Sequence, residues 1–244
     1  YVIYREQRAV SRYHSNKLKE EIGGKVSSMK VKKRDGTFES VSLDKITNRV
    51  SVLATGLSID PIVVAQKAIP GLYSEITTIE IDNYLAETSA ALTVEHPDYS
   101  NLAARIKANA LHKETPGFVI ANKVLYEDGL LNKEYYNKVV NNAEIIESII
   151  DYDQDYNFDY FALTTLIRAY LLKYDSKVIE RPQDLWMRVA LTISGDDFDL
   201  NKVKNTYSSL SNGFYTHATP TLFNSGLKMQ QLSSCFLIAM EDDS

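Results

Sequence analysis

Two sets of residues in this sequence could do chemistry. The first is cationic. Lys30, Lys32, Lys33 and Arg34 crowd into one short stretch, Lys45 follows, and Lys113 stands farther along. Phosphate wants this kind of local positive charge, together with free backbone N–H groups at a turn or helix start. The same run also suits a solvated basic edge that blunts strand pairing. No Gly-rich phosphate loop decides between the two. The second set is a single thiol, Cys235, in the run SSC, followed by FLIAM and an acidic cluster. A lone cysteine in an apolar context packs as a small hydrophobe or serves as a reactive thiol.

Both sets need elements to hold them. Around Asp35-Gly36, the stretch MKVKKRDGTFESVSL alternates polar and apolar residues. An Asp-Gly pair in that setting predicts a hairpin with a tight primed turn, because such a turn needs positive φ. The period then changes. Leu43, Ile46, Val50 and Leu53 are spaced as one helical face, and so are Ile62, Ala65, Ile69 and Leu72. Thr78 precedes Glu80 and a face of Ile81, Leu85, Ser89 and Leu92. Pro97-Asp98 opens another, with Tyr99, Leu102 and Ile106. A hairpin and four helices therefore form one compact unit, ending near Thr115-Pro116-Gly117.

Beyond it, the spacing predicts helices over 134–149, 161–172, 182–193 and 199–211. Pro182 suits a first helical turn. Residues 152–160 read as an acidic, aromatic loop, and Leu232–Met240 as a buried strand. Residues 1–28 read as a polar leader, with a short helix allowed over 4–21.

The totals narrow the options. A chain of 244 residues, 44% hydrophobic, can build one large or two small domains. A net charge of −5 offers nucleic acid no overall positive field, so a polyanion must be met locally. One cysteine excludes an internal disulfide framework and an all-cysteine zinc ribbon, and suggests a reducing, intracellular setting. No apolar run reaches membrane-spanning length and no signal-peptide pattern opens the chain. The first residue is Tyr1 rather than Met, which suggests a piece of a longer product. His217 has no second metal ligand near it and reads as structural; no metal site is expected.

The motifs carry a resemblance. VKKRDGTFESVSLDKI, GLYSEITTIEID and HPDYSNLAARIKANALHKET, in that order, resemble the ATP-cone, the regulatory module at the N-terminus of many ribonucleotide reductase large subunits. The closing THATPTLFNSG, QLSSCFL and DDS resemble the start of the catalytic region of the aerobic, class I subunit, and YLLKYDSKVIERPQDLWMRVA fits between. The resemblance runs from Met29 to Ser244. It implies a mainly α fold with little β. A small sheet over a four-helix bundle fills 29–117, and a helical N-terminal domain fills 118–215. Residues 216–244 begin a ten-stranded α/β barrel that is otherwise absent.

The resemblance also implies sites. ATP or dATP, with Mg²⁺, would be held by Lys33, Arg34, the run Glu39, Ser40, Val41, Ser42, Leu43, Asp44 and Lys45, and then Thr78, Asp82 and Lys113. The cations suit phosphates, and Thr78 offers a hydroxyl or an amide. Asp82 or Glu39 could accept from a ribose hydroxyl or an adenine amine. Cys235 matches one of two redox thiols that reduce the ribose, while another cysteine carries a thiyl radical. Thr219, where the family more often has serine, and Ser234 match substrate-phosphate positions. Asp243 matches the second allosteric site, which reads an effector dNTP. The implied partners are a radical-bearing, metal-containing small subunit, the C-terminal remainder of the large subunit, further copies of the large subunit, and a thioredoxin- or glutaredoxin-type reductant. No nucleic-acid or membrane partner is implied, and the setting is cytoplasmic. A competing reading is a stand-alone ATP/dATP sensor without catalysis. Regulators of that kind usually pair the cone with a zinc ribbon, which one cysteine cannot build.

Overall fold

The computed structural model of the chain describes residues 29–195 and 197–238. The expected leader, and any helix in it, lie outside the described residues. The chain divides after Leu111. The first unit also takes in Tyr156–Thr164, and the second comprises His112–Asp155 and the chain from Thr165 onward.

The first unit opens with β1 (Lys30–Lys32) and β2 (Phe38–Ser40), paired antiparallel with Val31 opposite Glu39. The turn differs from the expected primed type. Lys33 N–H donates to Thr37 O (2.8 Å) and Gly36 N–H to Lys33 O (3.0 Å), which closes a three-residue loop. Only Gly36 takes positive φ, +83°. This is a type I turn followed by a left-handed glycine. Asp35 favours it by accepting from the N–H and hydroxyl of Thr37 (2.9 and 2.6 Å), which keeps Asp35 itself out of the left-handed region. Strand β3 (Ile76–Thr77) pairs parallel to β1 on its other edge, giving the order β2-β1-β3.

The four expected helices follow, each with a start signal. Helix α1 (Leu43–Leu53) is capped by Ser42, and α2 (Pro61–Ala68) by Asp60 with Pro61 in its first turn. Helix α3 (Thr78–Ala91) has a full capping box between Thr77 and Glu80. Helix α4 (Asp98–Glu114) presents Tyr99, Leu102 and Ile106 to the core and lets Ala103, Ala104 and Ala108 pack closely. Their apolar faces bury Val50, Val64, Leu85, Leu102 and Ile106 together with Val31 and Ile76 of the sheet. Each large aliphatic buried this way stabilises by roughly 1.5–3 kcal/mol. The sheet is thereby fixed on the bundle.

The second unit contains α5 (Phe118–Glu127), α6 (Lys133–Asn141) and α7 (Ala143–Ile149), then α8 (Tyr160–Thr165), which straddles the division between units. The single helix expected over 134–149 is two helices, broken at Asn142 (φ −125°, ψ 21°), whose side chain bonds Lys138 O (2.9 Å) instead of continuing the ladder. The expected loop at 152–160 holds a short 3-10 helix, Tyr152–Asn157. The helix expected over 161–172 changes to a π-turn at Leu166–Tyr170 and then gives way to β4 (Lys173–Tyr174). Asp175 and Ser176 both take positive φ and turn the chain into β5 (Lys177–Val178).

Helix α9 (Pro182–Ile193) is buried from Pro182 to Leu191, against α10 (Leu200–Ser211). Three of its buried polar residues are tied to neighbouring elements. Gln183 accepts from Tyr207 and Ser211 of α10 (2.9 and 2.7 Å). Asp184 accepts from Tyr152 (2.7 Å) and the Arg181 N–H (2.9 Å), and burial pushes its carboxyl up to about 7. Arg188 is fully buried. It forms a two-pronged pair with Glu180 (2.6 and 3.1 Å) and donates to Ser225 O (2.7 Å) and Leu222 O (3.1 Å). Those two carbonyls close the C-terminal end of α11 (Thr219–Asn224), so one guanidinium fixes that helix to α9. At Gly226 (φ +74°) a Cβ would sit 3.1 Å from the Tyr135 ring, so only glycine lets this turn meet α6.

One expectation fails. Residues 232–238 are not a buried strand: they run without regular structure, with Phe236, Leu237 and Ile238 exposed. A strand exists only through pairing, and among the described residues no strand pairs with this stretch. Side chains of α11 hold its start instead. Asn224 donates to Gln231 O (2.7 Å) and Thr221 to Leu232 O (3.0 Å).

The Arg188 contacts make a prediction. Arg188→Met leaves Glu180 buried without its partner and should cost about 3–5 kcal/mol. Adding Glu180→Gln should recover part of that loss, measured by urea unfolding followed by circular dichroism.

Candidate functional site

The first unit carries a cleft of about 250 Å³ between the hairpin and the starts of α1 and α3. Its position follows from strand pairing. Lys32 of β1 is opposite Thr77 of β3, and Thr77 is the residue that caps α3. The hairpin hands over to Ser42, which caps α1 by accepting from the Lys45 N–H (3.3 Å). Two helix N-termini and one cationic turn therefore converge, the arrangement expected to favour an anion.

Of the residues expected from sequence, Lys33, Glu39, Ser40, Val41, Ser42, Lys45 and Thr78 line the cleft. Val31, Ile46, Ile81 and Leu85 form its apolar floor. Leu43 and Asp44 sit in the first turn of α1 but do not line it. Arg34 and Asp82 stand at its margin: Arg34 bonds Thr78 Oγ1 (3.4 Å) and Asp82 (3.1 Å). Lys113 lies in the last turn of α4, within the second unit.

The charges come in two groups. Glu39 accepts from both Lys33 and Lys45. Those two hydrogen bonds hold its carboxyl down to about 2, and the same contact raises Lys33. Asp82, with a side chain only 1% exposed, accepts from Arg34 on one oxygen and from Arg49 on the other. Arg49 is steadied in turn by Asn109 Oδ1 of α4 (3.0 Å). Both Asp82 oxygens are thus engaged by arginines, so its contacts make it an anchor for cations rather than a ready acceptor for a ligand.

Sequence reasoning missed Arg49 and Asn109. The available signal was spacing: Arg49 is four residues after Lys45 on one helix, so the two project from the same side. Nothing local marks Asn109, whose partner is 60 positions away.

The second set of expected residues lies in the other unit. Thr219 is the first residue of α11, and its hydroxyl is 3.3 Å from Tyr170 Oη. The Tyr170 ring packs at 4.8 Å on Phe223 of the same helix. Cys235 is an exposed free thiol with Ser234 Oγ 3.8 Å from its sulfur. Asp243 lies outside the described residues. Among the described residues no group of three or more His, Cys, Asp or Glu could hold a metal ion, and no helix is long and apolar enough to cross a membrane.

Comparison with known proteins gives the cleft and α11 a context. Residues 29–114 match the ATP cone domain, and residues 156–230 match the ribonucleotide reductase all-alpha domain. The chain carries an ATP-cone and a ribonucleotide reductase all-alpha domain. It is similar to the ribonucleoside-diphosphate reductase large subunits of Dictyostelium discoideum (46% identical over 90% of this chain and 27% of that protein), Caenorhabditis elegans (44%, 89% and 29%) and Arabidopsis thaliana (44%, 88% and 28%). It spans between a quarter and a third of the length of these curated relatives, and corresponds to an N-terminal portion of them. The cleft belongs to the ATP-cone, a domain of allosteric nucleotide binding. Thr219 falls within the all-alpha match, and Cys235 lies five residues beyond it.

The capping box of α3 keeps the floor and edge of the cleft in register. Thr77→Ala removes the acceptor of the Glu80 N–H and a donor to the Glu80 carboxylate. It should lower unfolding stability by about 1 kcal/mol, read by thermal unfolding at several urea concentrations.

Proposed function

We propose that this chain works as the regulatory and N-terminal part of a ribonucleoside-diphosphate reductase large subunit, with its ATP-cone cleft as the ATP/dATP site. The observation that carries this reading is the cleft itself, where Lys33, Lys45, Arg34 and Arg49 gather around two helix N-termini. The phosphates of the nucleotide, with Mg²⁺, face Lys33, Lys45 and the Ser42 and Thr78 hydroxyls. Its base and ribose have the apolar floor of Ile46, Ile81 and Leu85 to pack on.

In the completed enzyme Cys235 is one of two reducing thiols. The 2′ hydroxyl of the substrate ribose leaves as water, and two thiols give up two electrons and become one disulfide. An external dithiol of the thioredoxin or glutaredoxin kind then restores them. The Thr219 and Ser234 hydroxyls donate to the substrate diphosphate. Asp243 belongs to the site that reads the effector dNTP. A metal-containing small subunit supplies the radical, the large subunits associate with one another, and the setting is cytoplasmic. This chain has one cysteine, so the second thiol and the radical cysteine come from the part of the relatives' length outside the match.

Two experiments test the two halves. Lys33→Ala with Arg34→Ala should weaken ATP and dATP binding at least tenfold by calorimetry, since charged hydrogen bonds contribute about 1.5–3 kcal/mol each. Unchanged affinity would remove the site assignment. For the chemistry, Cys235→Ser in the completed enzyme should keep effector binding and lose multiple turnover. Alkylation and mass spectrometry after a single turnover should find Cys235 oxidised in the unmutated protein. A thiol still reduced while product forms would make Cys235 a packing residue.

A further inference from the structure

Tyr170 is brought against Thr219 by a construction that packing alone does not require. Leu166–Tyr170 form a π-turn, closed by the Leu171 N–H on Leu166 O (3.0 Å). Such turns are rare, and they are frequent at functional sites. Leu171 is buried, and the next N–H, that of Leu172, donates to Glu180 Oε2 (2.9 Å). Glu180 is the partner of Arg188, which also donates to Leu222 O and Ser225 O at the end of α11. One buried ion pair therefore fixes both the segment that carries Tyr170 and the helix that carries Thr219. The Tyr170 ring packs on Phe223, and its hydroxyl is 3.3 Å from Thr219 Oγ1. Thr219 and Phe223 are four residues apart on α11, so one tyrosine can meet both. A phenylalanine would pack on Phe223 as well; the hydroxyl is what reaches Thr219.

The geometry points to Tyr170 as a positioning residue for the substrate diphosphate, one that aims the single hydrogen of the Thr219 hydroxyl at a phosphate oxygen. This rests on the reading of Thr219 as a substrate-phosphate residue and adds a residue to that site. A threonine hydroxyl has one hydrogen and two lone pairs. An ionised phosphate oxygen only accepts, so Thr219 must give its hydrogen there. The contact with Tyr170 then has one allowed direction: the phenol donates and Thr219 Oγ1 accepts. That bond keeps the Thr219 hydrogen from turning toward Tyr170, and it polarises the O–H that faces the phosphate. The Phe223 contact holds the phenol in place for this. Thr219 itself is exposed, so its hydroxyl stays open to a ligand on the side away from Tyr170.

The test uses the completed large subunit with its small subunit and measures KM and kcat for a ribonucleoside diphosphate. Tyr170→Phe keeps the ring on Phe223 and removes only the hydroxyl. It is expected to raise KM about three- to tenfold, as for one lost hydrogen bond, with kcat at saturation unchanged. Thr219→Val should raise KM at least as much. The double variant Tyr170→Phe, Thr219→Val should be no worse than Thr219→Val alone, because the phenol acts only through that hydroxyl. Thr219→Ser keeps the hydroxyl and should stay as sensitive to Tyr170→Phe as the unmutated enzyme. If Thr219→Val raises KM while Tyr170→Phe leaves it unchanged, or if the two effects multiply in the double variant, the positioning role is overturned and the reading of Thr219 stands. Loss of fold in Tyr170→Phe, read by circular dichroism, would make the hydroxyl structural and overturn the role equally. If Thr219→Val leaves KM unchanged, Thr219 does not meet the substrate, and the role of Tyr170 falls with it.

Discussion

Strand β1 has three residues, yet the nucleotide cleft depends on its pairing on both edges. On one side Val31 is opposite Glu39, which fixes where the hairpin hands over to α1. On the other Val31 is opposite Ile76 and Lys32 opposite Thr77, which fixes where α3 begins. A slip of one residue on either edge would turn Val31 outward and a lysine into the core. The buried faces of Val31 and Ile76 forbid that slip. The register therefore positions two helix starts and one cationic turn. Because β3 is parallel to β1, the chain must cross through α1 and α2 between them, and the bundle under the sheet is what this crossing builds.

Charge in the molecule is arranged by depth. Arg188 and Asp82 are buried ions held by several partners each. Arg188 has a carboxylate and two helix-end carbonyls, and Asp82 has two arginines, one of them braced by an amide. Removing one member of such a group leaves another stranded in low dielectric, where the cost is high. Exposed ions are paired loosely, as Glu39 is with Lys33 and Lys45, and water or another anion can take either place. The difference divides structural charge from exchangeable charge. In the ATP-cone both kinds meet in one cleft: a buried aspartate between two arginines, and a more exposed glutamate between two lysines.

Much of this was legible in the sequence, for reasons that are local. The hairpin follows from Asp35-Gly36, although Asp35 bonds Thr37 and so converts the expected primed turn into a type I turn with a left-handed glycine. The helices of the first unit follow from their spacing and from Ser42, Asp60 and Thr77 as caps. Pro182 marks the start of α9 as expected. What was not legible depends on distant partners. Arg49 finds Asp82 across 33 positions and Asn109 across 60. Helix 134–149 breaks because Asn142 turns its side chain back on Lys138, a choice that propensity leaves open. The turn at Asp175-Ser176 puts two non-glycine residues in the left-handed region, which a sequence pattern does not announce.

The stretch after Leu232 makes the same point from the other direction. Its composition is that of a buried strand, and its apolar residues are among the most exposed in the chain. Both statements hold, because burial and strand geometry belong to a pairing and not to a segment. What α11 supplies is a fixed point of departure. Arg188 clamps the end of that helix, and Thr221 and Asn224 hold the backbone of Gln231 and Leu232. Three residues later comes Cys235. Redox chemistry between two thiols needs their Cα atoms about 5.5–6 Å apart, a tolerance that a freely moving segment does not meet. For the redox role proposed for Cys235, order has to reach it along the chain from α11 through Leu232. That anchoring is built into this chain, and it rests on the buried arginine that closes the end of α11.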